Sequence, residues 1–492
     1  MIHDLAKWVH HCRGRRILLL GDLILDRYVY GDAERISPEA PVPVLRAVET
    51  REAVGGAGNV AACLAALGCQ VHCCGAIGDD RNGSVLRELL SGLAADLSGL
   101  VVHPERPTTT KTRLVGLAQH RHRQQLLRLD EEDARPMTGE CAERLLEAAR
   151  RAIPSCDAVC IEDYDKGLIT DSFAAAIVAA AREHKRPVLV DPARLRDYAR
   201  YRGASIITPN REELSIATGK SAASIEAIAA AAAELVKRHS FGAAVVTVDR
   251  DGAIVVSADG AWRHLPTVPR AVYDNTGAGD AVLAMLAAAT AAGADLVSAA
   301  RLANIAGGLE VEKFGCVPIA ADEILAELRL EYRIDNGKLC GLDELASELQ
   351  LRRDRGEMIA FTNGCFDIVH AGHVDFLKRC RREASVLVVG LNGDASVRGM
   401  NKGDNRPINR FADRAVVLGA LECVDYVVGF EEATPEALIR RIRPNVLIKG
   451  QDWAAKGVVG QEYVESYGGK TVLLPLVEGL STSGLIERIR RA

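Results

Sequence analysis

Short apolar runs alternate with helical segments along the first half of the chain, and this rhythm constrains the fold more than any other feature. The runs are continuously apolar, as strands buried on both faces of a parallel sheet are. Parallel strands need long crossover connections, which are usually helices. The pattern therefore predicts an α/β fold with a mainly parallel sheet covered by helices. The runs span residues 16–22, 71–77, 158–161, 188–190, 205–207 and 243–248.

Polar side chains follow several of these predicted strands. Asp22 and Asp26 follow the first, residues 163–166 the third, Asp191 the fourth and residues 210–213 the fifth. Ligands of open parallel sheets bind beyond the carboxyl ends of the strands, so we expect the binding site at this edge. Asp22 and Asp26 suit the hydroxyls of a polyol because each carboxylate accepts several hydrogen bonds. Turn and cap chemistry is the alternative.

Residues 274–280 read Asp-Asn-Thr-Gly-Ala-Gly-Asp and lead directly into the small-residue run 281–289, which predicts a helix. Backbone amides at a helix N-terminus bind phosphate, with the positive end of the helix dipole behind them. Glycine lets the backbone approach closely, and Asp280 is then placed to take a proton from an attacking hydroxyl. The alternative is an ordinary loop entering a packed helix. Two acids and a threonine around the glycines favour the phosphate site.

A second glycine turn, at Gly55 and Gly56, opens another predicted helix and carries Asn59 at its start. Asn59 suits a contact with a sugar and suits a helix cap equally well. Upstream, residues 36–44 hold three prolines in nine positions, which excludes a helix and permits only extended or edge-strand structure. We expect this segment to be a lid or an interface strand.

The alternation stops between residues 310 and 355, where 331–338 is polar and without pattern. Such a break predicts a domain boundary. We predict a first domain over 1–334, a linker and lead-in helix over 335–355 and a smaller second domain over 356–492. The chain is long enough for two domains of this size.

The second domain begins with a predicted strand that ends in Gly364, and His370, Gly372 and His373 follow at a helix start. The two histidines are three residues apart and share a helix face, while Gly372 lets a ligand approach the backbone. This favours binding of a nucleotide phosphate. A metal site lacks a third ligand of suitable spacing, and helix capping with core packing is the other alternative.

Further polar groups in the second domain repeat the pattern of the first. Asn392 and Asp394 follow one predicted strand, and Lys449 ends another. Three hydroxyls at 481–483 open the last predicted helix, where they suit a phosphate as well as a cap. A second set of phosphate-binding groups implies a second active site.

Composition restricts the partners and the compartment. Sixty-one basic against 66 acidic residues give a net charge of −5, which provides no general attraction to nucleic acid or anionic membrane. No apolar run reaches the roughly 18 residues of a membrane span, and we find no signal-peptide pattern. The 13 cysteines form no Cys-x-x-Cys pair and are typical of reduced, buried thiols, so we expect a cytoplasmic protein.

The first domain resembles the ribokinase-like PfkB sugar kinases in its Gly55-Gly56-x-x-Asn59 turn, its 210–213 motif and its 274–280 signature, which occur in the expected order. The resemblance implies that Asp280 is the catalytic base. It implies an anion hole made by Gly277, Ala278 and Gly279. It implies contacts to ATP and Mg²⁺ from Asn210, Arg211, Glu212, Glu213, Asp274 and Asn304, with Mg²⁺ held through Asn210 and Glu213. It implies contacts to the sugar from Asp22, Asp26, Gly55, Gly56, Asn59 and Lys166.

The second domain resembles the Rossmann-like nucleotidylyltransferases defined by a His-x-Gly-His motif, here residues 370–373. The resemblance implies that His370 and His373 are catalytic. It implies contacts to the nucleotide from Gly364, Phe366, Asp367, Asn392, Asp394, Lys449, Ser481, Thr482 and Ser483.

The two motif sets in one chain resemble the bifunctional heptose 7-phosphate kinase/heptose 1-phosphate adenylyltransferase family of ADP-heptose synthesis, which makes a lipopolysaccharide core precursor. The resemblance implies phosphorylation of D-glycero-β-D-manno-heptose 7-phosphate at O1, and adenylyl transfer to heptose 1-phosphate. It implies ATP as the substrate of both domains, Mg²⁺, a monovalent cation in the kinase domain, a phosphatase acting between the steps and a homodimer.

Three residues depart from the kinase pattern. Glu162 stands where a serine is common, Ala193 stands where a lysine is often found, and Cys316 replaces a hydroxyl. The main alternative function is a different sugar kinase fused to a cytidylyl- or adenylyltransferase of another substrate. A nucleotide-sensing scaffold is disfavoured, because a pure binder needs neither Asp280 nor the histidine pair.

Overall fold

The computed structural model describes residues 2–117, 123–267, 276–313, 315–336, 338–399 and 406–475. The chain forms two compact units, Met1–Leu328 and Arg329–Ala492. The domain limits at 334 and 355 stay predictions.

Unit 1 contains thirteen strands within the described residues. They are β1 (Arg16–Gly21), β2 (Leu23–Ile36), β3 (Pro43–Gly56), β4 (Gln70–Gly78), β5 (Asp96–His103), β6 (Thr110–Leu117), β7 (Arg123–Glu131), β8 (Ala158–Glu162), β9 (Val188–Asp191), β10 (Ile206–Ile207), β11 (Ala243–Thr247), β12 (Ala253–Ser257) and β13 (Trp262–Leu265).

The helices of unit 1 cover its large sheet. They are α1 (Ile2–His11), α2 (Ala57–Ala66), α3 (Arg81–Gly92), α4 (Gly139–Ala152), α5 (Asp171–Glu183), α6 (Arg211–Thr218), α7 (Ile225–His239), α8 (Ala278–Ala291), α9 (Leu296–Glu310) and α10 (Ala321–Asn336), the last of which contains the point of division.

Nine strands form the large sheet, in the order β13-β12-β11-β10-β9-β8-β1-β4-β5. Every neighbouring pair is parallel except β11 with β12 and β12 with β13. The prediction of a mainly parallel sheet is confirmed, and all six predicted apolar runs are strands of this sheet.

Strand β1 illustrates why the runs are apolar throughout. Ile17 and Leu19 pack into one hydrophobic core, and Leu18 and Leu20 pack into another on the opposite face. Successive side chains of a strand point to opposite faces, so a strand with a core on each side needs no polar position.

A separate four-stranded sheet, in the order β3-β2-β6-β7, was not predicted. Its strands β2 and β3 carry many polar and exposed residues, and such a sequence is more typical of a loop than of a buried strand. The proline-rich segment lies where β2 ends at Ile36 and β3 begins at Pro43, and β3 is an edge strand. We call this four-stranded sheet the lid sheet.

Unit 2 has one parallel sheet in the order β14-β17-β16-β15-β18-β19. Its strands are β14 (Leu339–Cys340), β15 (Ile359–Gly364), β16 (Val386–Asn392), β17 (Tyr426–Phe430), β18 (Val446–Gly450) and β19 (Lys470–Leu474). Its helices are α11 (Leu342–Asp354), α12 (Ala371–Arg382), α13 (Asp394–Gly399), α14 (Phe411–Gly419), α15 (Glu436–Ile442) and α16 (Gln461–Ser466).

The segment predicted as a linker therefore contains part of α10 together with β14 and α11, and β14 pairs with β17. Leu345 and Leu349 of α11 are buried in a core of unit 2. Across the described helices, none is both long and apolar enough to cross a membrane.

Candidate active sites

A cavity of about 400 Å³ opens in unit 1 at the carboxyl ends of β8, β9 and β11, beside the start of α8. Its lining includes Glu162, Asp191, Glu213, Gly277 and Asp280. These residues come from four separate stretches that the sequence assigns to strand ends or to the glycine turn. The structure thus brings them together at the edge where ligands of parallel sheets bind.

Gly277 forms the N-terminal cap of α8 in a left-handed conformation with φ of 97°. A Cβ at this position would lie 2.8 Å from Glu310 Oε1 and 3.0 Å from Asn59 Nδ2, so a larger residue would displace these side chains and would also be strained at this φ. The first four amides, those of residues 277–280, have no acceptor within the helix. This is the arrangement that an anion hole requires.

Asp280 is 3% exposed and both of its carboxylate oxygens accept hydrogen bonds. Asn59 Nδ2 donates to Oδ2 at 2.7 Å, and the Tyr164 hydroxyl donates to Oδ1 at 3.0 Å. Burial raises the pKa of Asp280 to about 6, and the two hydrogen bonds oppose that rise. A base with such a pKa is ionised at neutral pH and still accepts a proton readily.

Tyr164 is a site residue that the sequence did not single out. It lies in the turn after β8, whose polar character was noted, but nothing in the local pattern assigns its hydroxyl to Asp280. The turn is held by Asp22, because Oδ2 of Asp22 accepts from the amides of Tyr164 at 2.8 Å and Lys166 at 3.2 Å. Burial, followed by the nearby Asp163, raises the pKa of Asp22 to about 7. Turn chemistry is therefore part of what Asp22 does.

Asp26 lies on β2 in the lid sheet and is buried. Its carboxylate forms an ion pair with Arg113 of β6. A Cβ on Gly55 would collide with that carboxylate, and one on Gly56, whose φ is 55°, would lie 2.6 Å from Asp22 O. The two glycines therefore let β3 pack directly against both acids.

Asn210 and Glu213 form a reciprocal capping box at the start of α6. The Glu213 amide donates to Asn210 Oδ1 at 2.9 Å, and the Asn210 amide donates to Glu213 Oε2 at 2.8 Å. Both residues also line the cavity. The cap fixes the position of the Glu213 carboxylate beside the predicted phosphate site.

Three other predicted ATP contacts, Arg211, Glu212 and Asn304, are not among the residues that line this cavity. Arg211 pairs with Asp249 and Asp251, and Glu212 pairs with Arg194 at the surface. Asn304 donates to the carbonyls of Leu265 at 3.4 Å and Pro266 at 3.3 Å. Asp274 lies outside the described residues. The roles assigned to these four stay predictions.

The histidine pair of unit 2 lies at the start of α12, where His370 is the N-terminal cap. The two imidazole rings are 4.0 Å apart, and Phe366 packs on His373 with ring centres 5.3 Å apart. Burial lowers the pKa of both histidines, to about 4 for His373, where His370 adds to the effect. Within the described part of unit 2, His370 Nδ1, His370 Nε2 and His373 Nδ1 have no hydrogen-bond partner. The pair thus offers neutral imidazole nitrogens to a ligand.

Arg414 is a buried residue of α14 that the sequence did not identify. Its side chain is completely enclosed and connects the loops around the histidine pair. It donates to the carbonyls of Cys365 at 2.6 Å and Asn392 at 2.8 Å, and to Asp394 Oδ1 at 2.7 Å. It also donates to Asn409 O at 3.0 Å. A buried guanidinium with all these acceptors fixes the ends of β15 and β16 relative to each other.

The predicted nucleotide contacts of unit 2 have mixed outcomes. Asp367 Oδ1 accepts from the amides of Ile408 at 2.8 Å and Asn409 at 3.0 Å, and Asn392 Nδ2 donates to Ser396 Oγ at 3.0 Å. These side chains hold loops in place. Lys449 Nζ donates to Asn363 O at 3.3 Å, and a Cβ on Gly364 would lie 3.0 Å from the ring of Phe366. Ser481, Thr482 and Ser483 lie outside the described residues.

Comparison with known proteins shows the families to which the two units correspond. Residues 15–322 match the pfkB family of carbohydrate kinases, and residues 361–474 match the cytidylyltransferase-like family. The bifunctional protein HldE of Geobacter metallireducens is 42% identical over 482 residues, which cover 98% of this chain and 97% of that relative. The chain belongs to the HldE family of bifunctional proteins. It is an enzyme with a kinase unit and a nucleotidyltransferase unit.

Other HldE proteins and solved structures agree with this assignment. HldE of Mesorhizobium japonicum is 44% identical over 479 residues, covering 97% of this chain and 95% of that protein. Ribokinase of Arabidopsis thaliana, solved with ribose and ATP, matches 64% of this chain and 99% of its own with a TM-score of 0.52 and 22% identity. At that identity the likeness shows the fold alone, which is the ribokinase-like fold predicted for unit 1.

The departure at Glu162 gives this HldE-family chain an acidic cavity wall. Glu162 and Asp191 are paired neighbours at the ends of β8 and β9, and Glu162 is 2% exposed. Burial, followed by Asp191, raises the pKa of Glu162. Cys316 lies 3.9 Å from Thr276 O and 4.0 Å from Asp26 Oδ2, so its thiol replaces a hydroxyl next to the glycine turn. Ala193, the third departure, also lines the cavity.

Proposed function

We propose that unit 1 phosphorylates D-glycero-β-D-manno-heptose 7-phosphate at O1 with ATP, and that unit 2 transfers the adenylyl group of ATP to D-glycero-β-D-manno-heptose 1-phosphate. The products are heptose 1,7-bisphosphate with ADP, and ADP-heptose with pyrophosphate. The observation that carries the proposal is the buried Asp280 carboxylate beside the first-turn amides of α8, in a chain that also contains the histidine pair.

In unit 1, Asp280 accepts the proton of the O1 hydroxyl while that oxygen attacks the γ-phosphorus. The bond from O1 to phosphorus forms, the bond to the bridging oxygen breaks, and ADP leaves. The amides of residues 277–279 stabilise the charge that develops on the transferred group. Asn59 and Tyr164 keep the carboxylate in position, and Asp22 and Asp26 bind sugar hydroxyls.

Mg²⁺ fits the donors that line the unit 1 cavity. Glu213, one of the two predicted ligands, and the neighbouring Asp191 would supply carboxylate oxygens, which this hard cation prefers, and bound Mg²⁺ would offset the negative charge of the triphosphate. Asn210, the other predicted ligand, lines the same cavity. No three acidic, histidine or cysteine side chains among the described residues are arranged as a metal site. Magnesium usually keeps waters and phosphate oxygens as its other ligands, so two carboxylates are sufficient. A monovalent cation in unit 1 stays a prediction.

In unit 2, an oxygen of the sugar 1-phosphate attacks the α-phosphorus of ATP and pyrophosphate leaves. His370 and His373 donate hydrogen bonds to the phosphate oxygens, and Lys449 adds a positive charge. These groups act by position and charge, because phosphoryl and nucleotidyl transfer need no protein nucleophile. The hydroxyls at 481–483 are further phosphate contacts in this proposal.

The product of unit 1 keeps its 7-phosphate, whereas the acceptor of unit 2 lacks it. A separate phosphatase therefore acts between the two reactions. Both reactions consume ATP, and none of the thirteen cysteines forms a disulfide, which supports a cytoplasmic location.

Exposed apolar residues on the lid sheet support a homodimer. Ile36 is 63% exposed, Val48 63%, Leu127 59% and Leu129 56%. Leu127 and Leu129 are two residues apart on β7 and share a face. Large exposed apolar side chains on one sheet support its burial against a second copy of the chain.

The proposal is tested by incubating the full chain with ATP, Mg²⁺ and heptose 7-phosphate, and analysing the products by mass spectrometry. We expect the bisphosphate without phosphatase, and ADP-heptose once a phosphatase specific for the 7-position is added. The absence of both products would exclude the heptose assignment. Parallel reactions with other sugar phosphates and with CTP would then identify the alternative fused kinase and transferase.

A further inference from the structure

Four cations gather on and beside one face of the lid sheet, where Lys111 lies opposite Asp26 on one side and Asp130 on the other. Lys111 and Arg113 are two residues apart on β6 and therefore share a face, and Arg113 lies directly opposite Arg128 of β7. Like charges at directly opposed positions of an antiparallel pair are destabilising. Lys166, in the turn after β8, lies close enough to affect the titration of Lys111. An arrangement of this kind is favoured where an anion binds.

Three of the four cations have acidic partners. Arg113 pairs with Asp26, Arg128 donates to Asp130 at 2.8 and 2.9 Å, and Lys166 lies 2.7 Å from Glu132. These ion pairs hold the three side chains in place around Lys111.

Lys111 differs from these three cations in having no acidic partner in the described part of the chain. Its ammonium makes no hydrogen bond or ion pair with any residue that the structure describes, and it lies 4.9 Å from the centre of the Tyr164 ring. Its side chain is partly buried, and burial lowers its pKa. Asp26 opposes that effect, while the neighbouring cations add to it. A bound anion would relieve the repulsion and supply the missing hydrogen bonds.

The position of Lys111 indicates which anion binds. Tyr164 contacts both groups, since its ring lies 4.9 Å from the Lys111 ammonium and its hydroxyl donates to Asp280, and Lys111 is close enough to lower the pKa of Asp280. Lys111 is not among the residues that line the cavity containing Asn210 and Glu213, where the nucleotide phosphates are expected. It therefore belongs to the acceptor side of the base, on the lid sheet that also carries Asp26.

We propose that Lys111 is the centre of a subsite for a phosphate monoester on the acceptor, remote from the hydroxyl that is phosphorylated. Arg113 and Lys166 flank this subsite and are held by their acids. The inference rests on the proposed function, since the acceptor named there carries a 7-phosphate. It goes further by assigning the recognition of that phosphate to a residue outside both family motifs. Lys111 is then a specificity residue that makes the kinase select a phosphorylated sugar.

The test is Lys111→Met in the full chain, assayed with heptose 7-phosphate and with the same heptose lacking its phosphate. We expect kcat/KM for heptose 7-phosphate to fall roughly 10- to 100-fold, the loss of one charge-assisted hydrogen bond. At pH 8, where Asp280 is ionised, we expect kcat/KM for free heptose and the KM for ATP to change less than about twofold. Inorganic phosphate should inhibit the wild-type kinase competitively against heptose 7-phosphate, and this inhibition should weaken by a similar factor in the variant.

Two further variants make the result specific. Lys111→Arg keeps the charge and should retain most of the preference for the phosphorylated acceptor. Arg46→Met removes an exposed cation that pairs with Asp32 on the same sheet, and should change nothing. Equal losses on both acceptors, or an unchanged preference, would overturn the subsite. If the wild type itself does not phosphorylate heptose 7-phosphate, the proposed function fails instead.

Discussion

The Tyr164 hydroxyl donates a hydrogen bond to Asp280 Oδ1 at 3.0 Å, although 116 residues separate the two in the chain. The other oxygen accepts from Asn59 at 2.7 Å, so the orientation of the carboxylate is fixed before any substrate binds. Burial, followed by the charge of Asp280, raises the pKa of Tyr164. The phenol therefore stays protonated and donates throughout the neutral pH range. The base of the kinase is thus oriented by one side chain from α2 and one from the turn after β8.

Tyr164→Phe should move the acidic limb of the kinase pH profile to higher pH. Asp280 must be ionised to act, and its pKa of about 6 is held down by the hydrogen bonds from Asn59 and Tyr164. Removing one donor worth about 1 kcal/mol raises the pKa by roughly 0.7. The limb should therefore shift upward by about that amount when kcat/KM for the sugar phosphate is measured from about pH 5 to pH 8.

Tyr198→Phe is the matched control for this measurement. Tyr198 is buried, and its hydroxyl has no hydrogen-bond partner in the part of the chain that the structure describes. Removal of the Tyr198 hydroxyl should leave the acidic limb of the kinase pH profile at its wild-type position. A Tyr164 variant that is slower but keeps the wild-type limb would mean that Tyr164 only packs against Asp280.

Asp280→Asn and His373→Ala should separate the two activities. The first removes the proton acceptor of unit 1 and should reduce phosphorylation by roughly 100- to 10,000-fold, without changing adenylyl transfer. The second removes a phosphate ligand of unit 2 and should do the reverse. Each variant is assayed for both reactions, and circular dichroism checks that it is folded. Loss of both activities in a folded variant would contradict the model of independent sites.

Arg414→Met should destabilise unit 2 selectively. It removes the donor to Cys365 O, Asn392 O and Asp394, and leaves those acceptors without their partner. Breaking a buried ionic network costs about 3–5 kcal/mol, which lowers the unfolding midpoint of a unit of this size by roughly 6–20 °C. After graded heating, adenylyl transfer should be lost at lower temperature than in the wild type, while kinase inactivation is unchanged.

Arg440→Met is the control for that experiment. Arg440 pairs with Glu436 one helical turn away, with both side chains about half exposed, and such pairs contribute little. Its midpoint should stay within about 2 °C of the wild type. If the two arginine variants behaved alike, the network around Arg414 would have no special role.

The sequence predicts the large sheet, the glycine turn before α8 and the histidine turn before α12, and the reason is physical. A strand buried on both faces is apolar at every position, and a helix start that binds phosphate needs small residues and free amides in a row. Both signals are local. The run 16–22 and the signature 274–280 therefore contain most of the information needed to place β1 and α8.

The contacts that complete the sites are not local, and the sequence does not predict them. Nothing in the sequence around Tyr164 shows that its hydroxyl donates to Asp280. An arginine in an amphipathic helix, such as Arg414, is expected at the surface. The lid sheet is missed because one of its faces is exposed and its strands are rich in polar residues. Arg211 and Glu212 illustrate the converse, since a motif identifies the turn but not the direction in which each side chain points.

The histidine pair should take up protons when the nucleotide binds. Burial lowers the pKa of both histidines in the free protein, to about 4 for His373, so His373 is neutral at pH 6 and His370 is less protonated than an ordinary imidazole. Phosphate oxygens close to the rings stabilise the imidazolium form and raise these pKa values. Calorimetry of ATP binding near pH 6, in buffers of different ionisation enthalpy, should therefore show proton uptake that diminishes as the pH rises above about 7. His373→Ala should reduce the uptake, and His184→Ala, which alters an exposed histidine at the end of α5, should not. Uptake that is identical in the wild type and His373→Ala would show that the rings stay neutral and act only as hydrogen-bond donors.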